Sequence, residues 1–239
     1  MLLFLNKTLK RRSAALLCPL ALILSAAALL CGCRPSFEPV SESGFYFNTI
    51  ISLTAYGSHA EEAIQDAFAL CERYENLWSK TVEGSDIWNI NHAEGQPVEV
   101  DPETADLLNT ALYWADKTDG LIDPTVTPLS DLWNFTGDPK GPVPAQADID
   151  ALLPHVDYRT VSIVQNTVTL SDPQAQVDLG FLAKGRIADR LKELFLQKGI
   201  TSALINLGAT CSQSAQSRTA PPFGPASKCP LEKTGSLRG

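Results

Sequence analysis

Val177-Asp178-Leu179-Gly180-Phe181-Leu182-Ala183-Lys184-Gly185 reads as a strand running into a helix, and the rest of the chain is organised around that junction. Val177 to Leu179 continue a sheet, and Gly180 interrupts it. Behind it Ile187, Ala188, Leu191, Leu194 and Phe195 recur at helical spacing, which predicts a helix from about Ala183 to Lys198 with Gly199 as its cap. Upstream, Val161, Ile163, Val168 and Leu170 alternate on either side of Gln165-Asn166, the pattern of a β-hairpin. Downstream, Ser202 to Leu207 form another strand.

The earlier sequence supplies the remaining layers. Thr49 to Tyr56 are rich in β-branched and aromatic residues and predict a strand ending at Gly57. Ser58 and Glu61 have capping-box spacing ahead of a helix whose face carries Ala60, Ala63, Ile64, Ala67, Phe68, Cys71, Tyr74 and Leu77 through to Trp78. On that face Cys71 reads as a buried thiol. Asp101 as N-cap and Pro102 at the first helical position start another helix, which stops at Gly120. Helices and strands in this order predict an α+β fold, a mixed sheet with packed helices.

The termini read differently from the body. Lys7, Lys10, Arg11 and Arg12 precede an apolar run from Ala14 to Leu30, an export signal over residues 1–32. Leu30-Cys31-Gly32-Cys33 looks like a lipobox, with Cys33 as the lipidated mature N-terminus; an uncleaved anchor is the alternative. Either way the body faces outward, on the outer face of the cell membrane or the periplasmic side of a membrane. Residues 33–44 read as a polar tether and 45–208 as the folded domain. From Ala209 to Gly239 there is no Val, Ile or Met, and four cations face the single acid Glu232, so 209–239 reads as a disordered or out-of-frame tail. Topology favours the out-of-frame reading, because no strand is evident to pair with Ser202 to Leu207. Outside the signal and Cys33, only Cys71, Cys211 and Cys229 remain, with neither disulfide nor zinc spacing.

The formal charge of -8 and the lack of a basic stripe exclude nucleic acid as a partner. An anionic ligand then needs a local positive device, most simply a divalent cation. Two clusters offer ligand-binding chemistry. The rigid loop Thr118-Asp119-Gly120-Leu121-Ile122-Asp123-Pro124-Thr125-Val126-Thr127-Pro128-Leu129 suits a backbone-and-carboxylate grip, although a surface turn with a satisfied Asp is the plainer reading of its composition. At the junction, unpaired helix N–H groups and Lys184 suit a phosphate, and Asp178 suits a base or ribose; a structural turn is the plainer reading of those residues alone. His59, His92 and His155 show no metal or nucleophile spacing and read as surface histidines.

Taken in order with Ile205-Asn206-Leu207-Gly208, these clusters resemble the ApbE family, the FAD:protein FMN transferases. The resemblance runs from about Phe45 to Gly208 and includes Phe47-Asn48-Thr49, Trp78-Ser79-Lys80 and Asn89-Ile90-Asn91. Its most specific parts are Asp123-Pro124-Thr125-Val126 with Pro128-Leu129 and Leu132-Trp133, and Asp178-Leu179-Gly180 with Ala183-Lys184-Gly185 and Ala188-Asp189. It implies an ApbE-like, T-fold-related flavin transferase. Such an enzyme cleaves FAD, attaches FMN through a phosphoester to a threonine or serine of another protein, and releases AMP. FAD is its substrate and Mg2+ its metal; the acceptor is a flavoprotein such as a membrane redox-complex subunit. FAD contacts are implied at Phe47, Thr81, Leu121, Ile122, Asp123, Asp178 and Lys184, and one magnesium ligand at the Phe181 backbone carbonyl. Asn48, Thr81 and Phe181 depart from the residues usual at their positions. The family's Ser-His-Ile-Ile-Asp-like segment and Asp/Thr magnesium motif are not found, so the chain is expected to lack its C-terminal part, to be truncated and inactive as written. Binding FAD without transfer, or a non-functional fragment, are the alternatives.

Overall fold

The computed structural model describes residues 38–134, 141–208 and 210–215, the last stretch by its backbone alone. The expected signal segment, Cys33, and residues 216–239 of the expected tail lie outside the described residues. In chain order the elements are β1 (Val40–Tyr46), β2 (Thr49–Tyr56), α1 (Ala60–Trp78), α2 (Asp86–Asn91), β3 (Val98–Glu99) and α3 (Pro102–Lys117). There follow α4 (Thr127–Trp133), α5 (Gln146–Leu152), β4 (Val161–Val164), β5 (Thr167–Leu170), α6 (Gly180–Gln197), β6 (Ser202–Leu207) and β7 (Thr210–Ala215).

The larger sheet has the order β1-β2-β6-β7 and is antiparallel throughout. Alternation turns Ile51, Leu53 and Ala55 of β2 and Ala203, Ile205 and Leu207 of β6 to one buried face. The apolar stripe of α1, from Ala60 through Ile64, Cys71 and Tyr74 to Trp78, shares a core with it, as do Ile187, Leu191 and Phe195 of α6. A smaller antiparallel sheet, β3-β5-β4, contributes Val168 and Leu170 to the same core. The α+β class therefore stands, with the strands divided between two sheets.

Several boundaries move. The fold begins at Val40, inside the expected tether, because the polar Ser41 and Ser43 pair through their hydroxyls with Thr54 and Ser52 at 2.8 Å each. An edge strand of this kind carries little apolar pattern to announce it. The chain after Gly208 is likewise corrected over 210–215, where β7 pairs with β6 from Leu207–Thr210 to Ser202–Ala215. Gly208 makes that turn at φ +76, and a Cβ there would collide with Thr49 Oγ1. The expected Ser58 cap does not form: α1 starts after His59, and the Gly57 carbonyl takes the Ala60 N–H at 3.3 Å. By contrast, Asp101 caps α3 as expected, its Oδ1 accepting from Glu103 N at 2.8 Å.

A polar cluster ties α1, α3 and α6 together. Glu103 accepts from Tyr74 Oη at 2.7 Å and from Arg73 at 3.0 Å, with Arg190 Nε 3.6 Å away. Burial alone raises the Glu103 pKa, but these hydrogen bonds and the charges of Arg73 and Arg190 outweigh it and hold the group below its ordinary value. Burial, then the Glu103 hydrogen bond, pushes the Tyr74 phenol up to about 12. His155 is also not an ordinary surface histidine, since its Nδ1 lies 2.7 Å from Asp172 Oδ2 with both side chains about four-fifths covered, at 20% and 21% exposure.

Two outcomes follow from these environments. Burial, with the Glu75 charge adding to it, pushes the Cys71 thiol up to about 12, so the Cys71 peptide stays unlabelled by maleimide at neutral pH in native protein and is labelled in denaturant. Because the folded Glu103 pKa lies below its unfolded value, its stabilisation is complete above the unfolded value of about 4.3 and is lost as pH falls through the lower, folded one. Thermal melts of Glu103→Gln should therefore lose less stability on acidification than those of the unchanged chain.

Candidate functional site

The junction singled out in the sequence is held by unusual means. Val177 to Leu179 do not form a strand of either sheet; the only pairing here is a single parallel bridge between Val126 and Gln176. A buried segment without strand neighbours must satisfy its backbone otherwise. Val177 N donates to Asn91 Oδ1 at 2.7 Å, and Asn91 Nδ2 donates to the Val177 carbonyl at 2.9 Å. One side-chain amide thus imitates a neighbouring strand. Asp178 N then donates to the Pro124 carbonyl at 2.8 Å, which fastens the Asp123 loop beside the junction.

The Asp178 carboxylate is divided between two tasks. Its Oδ1 accepts from Gly180 N at 2.7 Å at the start of α6, and a Cβ on Gly180 would come within 3.0 Å of that oxygen. Its Oδ2 faces Lys80 Nζ at 3.6 Å. Lys80 also donates to Asp131 Oδ1 at 2.5 Å, linking the loop after α1 to α4. These groups line an open cleft of about 470 Å³, completed by Asn48, Thr81, Ser130 and Asn134. Ser79 Oγ shapes the Thr81 segment by accepting from Thr81 N at 3.2 Å and Val82 N at 3.3 Å.

Of the residues named from the sequence, Thr81 and Asp178 meet in this cleft. Asp123 stands beside it with its carboxylate occupied: Oδ1 accepts from Thr125 N at 2.8 Å and Thr125 Oγ1 at 2.6 Å, and Oδ2 from Tyr158 N at 3.0 Å. Its work in this structure is to brace the loop. Leu121, next to half-buried Ile122, is 91% exposed and free to contact a ligand. Phe47 is at the β1–β2 turn, where its N–H donates to Glu75 Oε1 at 2.8 Å. Lys184 lies half-buried in the first turns of α6 without an ion pair among the described residues. Phe181 is in the first turn, where a helix carbonyl keeps a second lone pair beside its intrahelical bond.

Lys80 and Asp131 were not among the residues picked as binding groups. Lys80 had appeared only in the run Trp78-Ser79-Lys80. Their pairing spans 51 positions and leaves no local signal. Among the described residues no three His, Cys, Asp or Glu side chains gather as a metal would require. The cleft's two carboxylates already share one ammonium, so the described residues do not complete a magnesium site.

A model of the ApbE family matches residues 47–221, continuing through β7 past the expected limit at Gly208. An FAD:protein FMN transferase of Klebsiella pneumoniae (strain 342) is 35% identical over 171 residues, covering 70% of this chain and 54% of that protein. One from Treponema pallidum (strain Nichols) is 28% identical over 190 residues, covering 74% of this chain and 52% of the relative. The crystal structure of an ApbE protein from Thermotoga maritima MSB8 superposes with a TM-score of 0.65 at 27% identity, over 71% of this chain and 56% of the other. The chain thus spans about half the length of these curated relatives.

Replacing Asn91 by Ala strands one buried N–H and one buried carbonyl at Val177. The expected loss is about 1–3 kcal/mol, read as a fall in melting temperature of roughly 5 °C. Asn91→Asp, which keeps an acceptor for Val177 N–H but lacks the amide donor, should fall between the two.

Proposed function

This chain belongs to the ApbE family, and on that premise we propose that it acts as an FAD:protein FMN transferase. In the reaction proposed, a threonine or serine hydroxyl oxygen of the acceptor forms a bond to the FMN phosphorus of FAD. The bond from that phosphorus to the bridging oxygen breaks, AMP leaves with that oxygen, and the hydroxyl proton passes to solvent. The reading is supported above all by one arrangement. The Asp123 loop and the Asp178 junction, far apart in sequence, are fastened side by side by the Asp178 N–Pro124 O bond at the wall of a cleft that Thr81 shares.

In this reading the Asp178 carboxylate accepts hydrogen bonds from the nucleotide, and the Lys184 ammonium serves its phosphates. Phe47, Leu121 and Ile122 supply apolar contact, while Asp123 keeps their loop in shape. Magnesium dependence belongs to the proposal, with the second lone pair of the Phe181 carbonyl as one donor; among the described residues no cluster of three His, Cys, Asp or Glu side chains stands ready to add to it. That shortage favours a second reading, a protein that holds FAD without turning it over. Export, a lipid anchor at Cys33 and an acceptor among membrane redox-complex subunits complete the proposal.

The test is to incubate the full chain with FAD, magnesium and a threonine-bearing acceptor, following AMP and covalent flavin on the acceptor. Transfer should release AMP in step with flavinylated acceptor, and Asp178→Asn should slow it roughly 10–100-fold, as expected for the loss of one charge-assisted ligand bond. Bound FAD without AMP supports the second reading, and a chain that neither binds nor transfers flavin refutes both.

A further inference from the structure

Lys80 is placed where neither the fold nor the relatives' names assign it a task. Its ammonium reaches from the loop after α1 to Asp131 Oδ1 at 2.5 Å and towards Asp178 Oδ2 at 3.6 Å. The Asp131 side chain is 57% exposed, and ion pairs this open to water add little to stability. Among the described residues lining the cleft, Lys80 is the one cation against two carboxylates, the others being uncharged. The chain as a whole carries -8, so nothing in its overall field favours an anion there.

We propose that Lys80 is a positioning residue for an anionic diphosphate ligand: its ammonium masks the Asp131 carboxylate and steadies that of Asp178, leaving the cleft open to negative charge. The inference rests on the flavin-transferase reading and deepens it, since a dinucleotide is the ligand whose charge needs masking. Without Lys80, two carboxylates held to one cleft would face the ligand's phosphates. Asp178 would also keep only its Gly180 bond to orient it. Removing Asp131 instead would take away repulsion and leave Lys80 to Asp178 and the ligand. The two partners of one ion pair should therefore have effects of opposite sign, which a merely structural bridge does not produce.

The experiment titrates FAD into the full chain, read by quenching of flavin fluorescence, for the unchanged protein, Lys80→Met, Lys80→Arg, Asp131→Asn and the double variant Lys80→Met with Asp131→Asn. Thermal melts accompany each. At low salt Lys80→Met should weaken binding roughly tenfold, the effect of one unit charge a few ångströms from an anion at intermediate dielectric. The loss should shrink at high salt. Lys80→Arg should keep most of the affinity, Asp131→Asn should bind as well as or better than the unchanged chain, and the double variant should recover most of the loss. Equal weakening by Lys80→Met and Asp131→Asn overturns the proposal, as does unchanged affinity in Lys80→Met or loss of its cooperative melt. If the unchanged chain takes up no FAD, the flavin reading falls and this inference falls with it; if it binds FAD and Lys80→Met binds equally, the inference alone fails.

Discussion

The two hydrogen bonds between the Asn91 amide and the backbone of Val177 are the constraint on which the site depends. Val177 is fully buried, yet it lies in neither sheet, so its N–H and carbonyl have no ladder to join. A carboxamide carries a donor and an acceptor on one carbon, and so can answer an N–H and a carbonyl together as a neighbouring strand would. With Val177 fixed, Asp178 N meets the Pro124 carbonyl, the Asp123 loop docks, and α6 starts two residues later. Asn91 ends the short helix α2, whose own position is set by Ser85, a buried cap accepting from Trp88 N at 3.0 Å. The side chain that completes the junction is therefore anchored from a different part of the chain, 86 positions away.

Electrostatics set the second constraint. The polar groups divide into a network that supports the fold and a set that faces the cleft. Glu103, Tyr74, Arg73 and Arg190 belong to the first: Tyr74 and Arg73 donate to Glu103, Arg190 adds its charge from 3.6 Å, and the Tyr74 and Trp78 rings stack at 4.2 Å. Trp78 Nε1 continues the network through Thr104 Oγ1 to Asp86. Lys80, two residues after Trp78, belongs to the second set. The end of α1 thus holds its loop from below by hydrogen bonds and presents a charge above, so the position of Lys80 is a consequence of core packing rather than of its own ion pair.

What was legible in the sequence follows from how local each signal is. The α3 cap, the β4–β5 hairpin at Gln165 and the buried face of α1 are written within a few residues and appeared as expected. β1 and β7 were missed because they are polar strands whose evidence lies in their partners, β2 and β6. Val177 to Leu179 carry the apolar pattern of a strand because they are buried, and burial without a ladder has the same sequence signature. Thr81 is named by family likeness and Asp178 by the junction as well, and the structure brings the two to one cleft. Asp123 is named as a ligand contact as well, and the structure adds that its oxygens accept from Thr125 and Tyr158. A single sequence shows that an aspartate is present and is silent on how many donors already surround it.

The β1–β2 turn shows how strain is used to place one more cleft residue. Phe47 and Asn48 have φ of 52° and 55°, the left-handed values a two-residue hairpin needs at both positions. Asparagine tolerates this region and phenylalanine does not, at a cost of order 1–3 kcal/mol. Two contacts offset it: the Phe47 N–H donates to the Glu75 carboxylate at 2.8 Å, and the ring packs against the core. A charge-assisted bond of this kind is worth about 1.5–3 kcal/mol, enough to balance the strained turn. The turn is thereby clamped to the last turn of α1, just ahead of the loop that carries Lys80. Asn48, the next residue, is left projecting at the cleft with its own backbone geometry fixed. The sheet and the helix therefore deliver their two contributions to the cleft through one rigid connection, and the aromatic at 47 can hold its unfavourable conformation because Glu75 answers its amide.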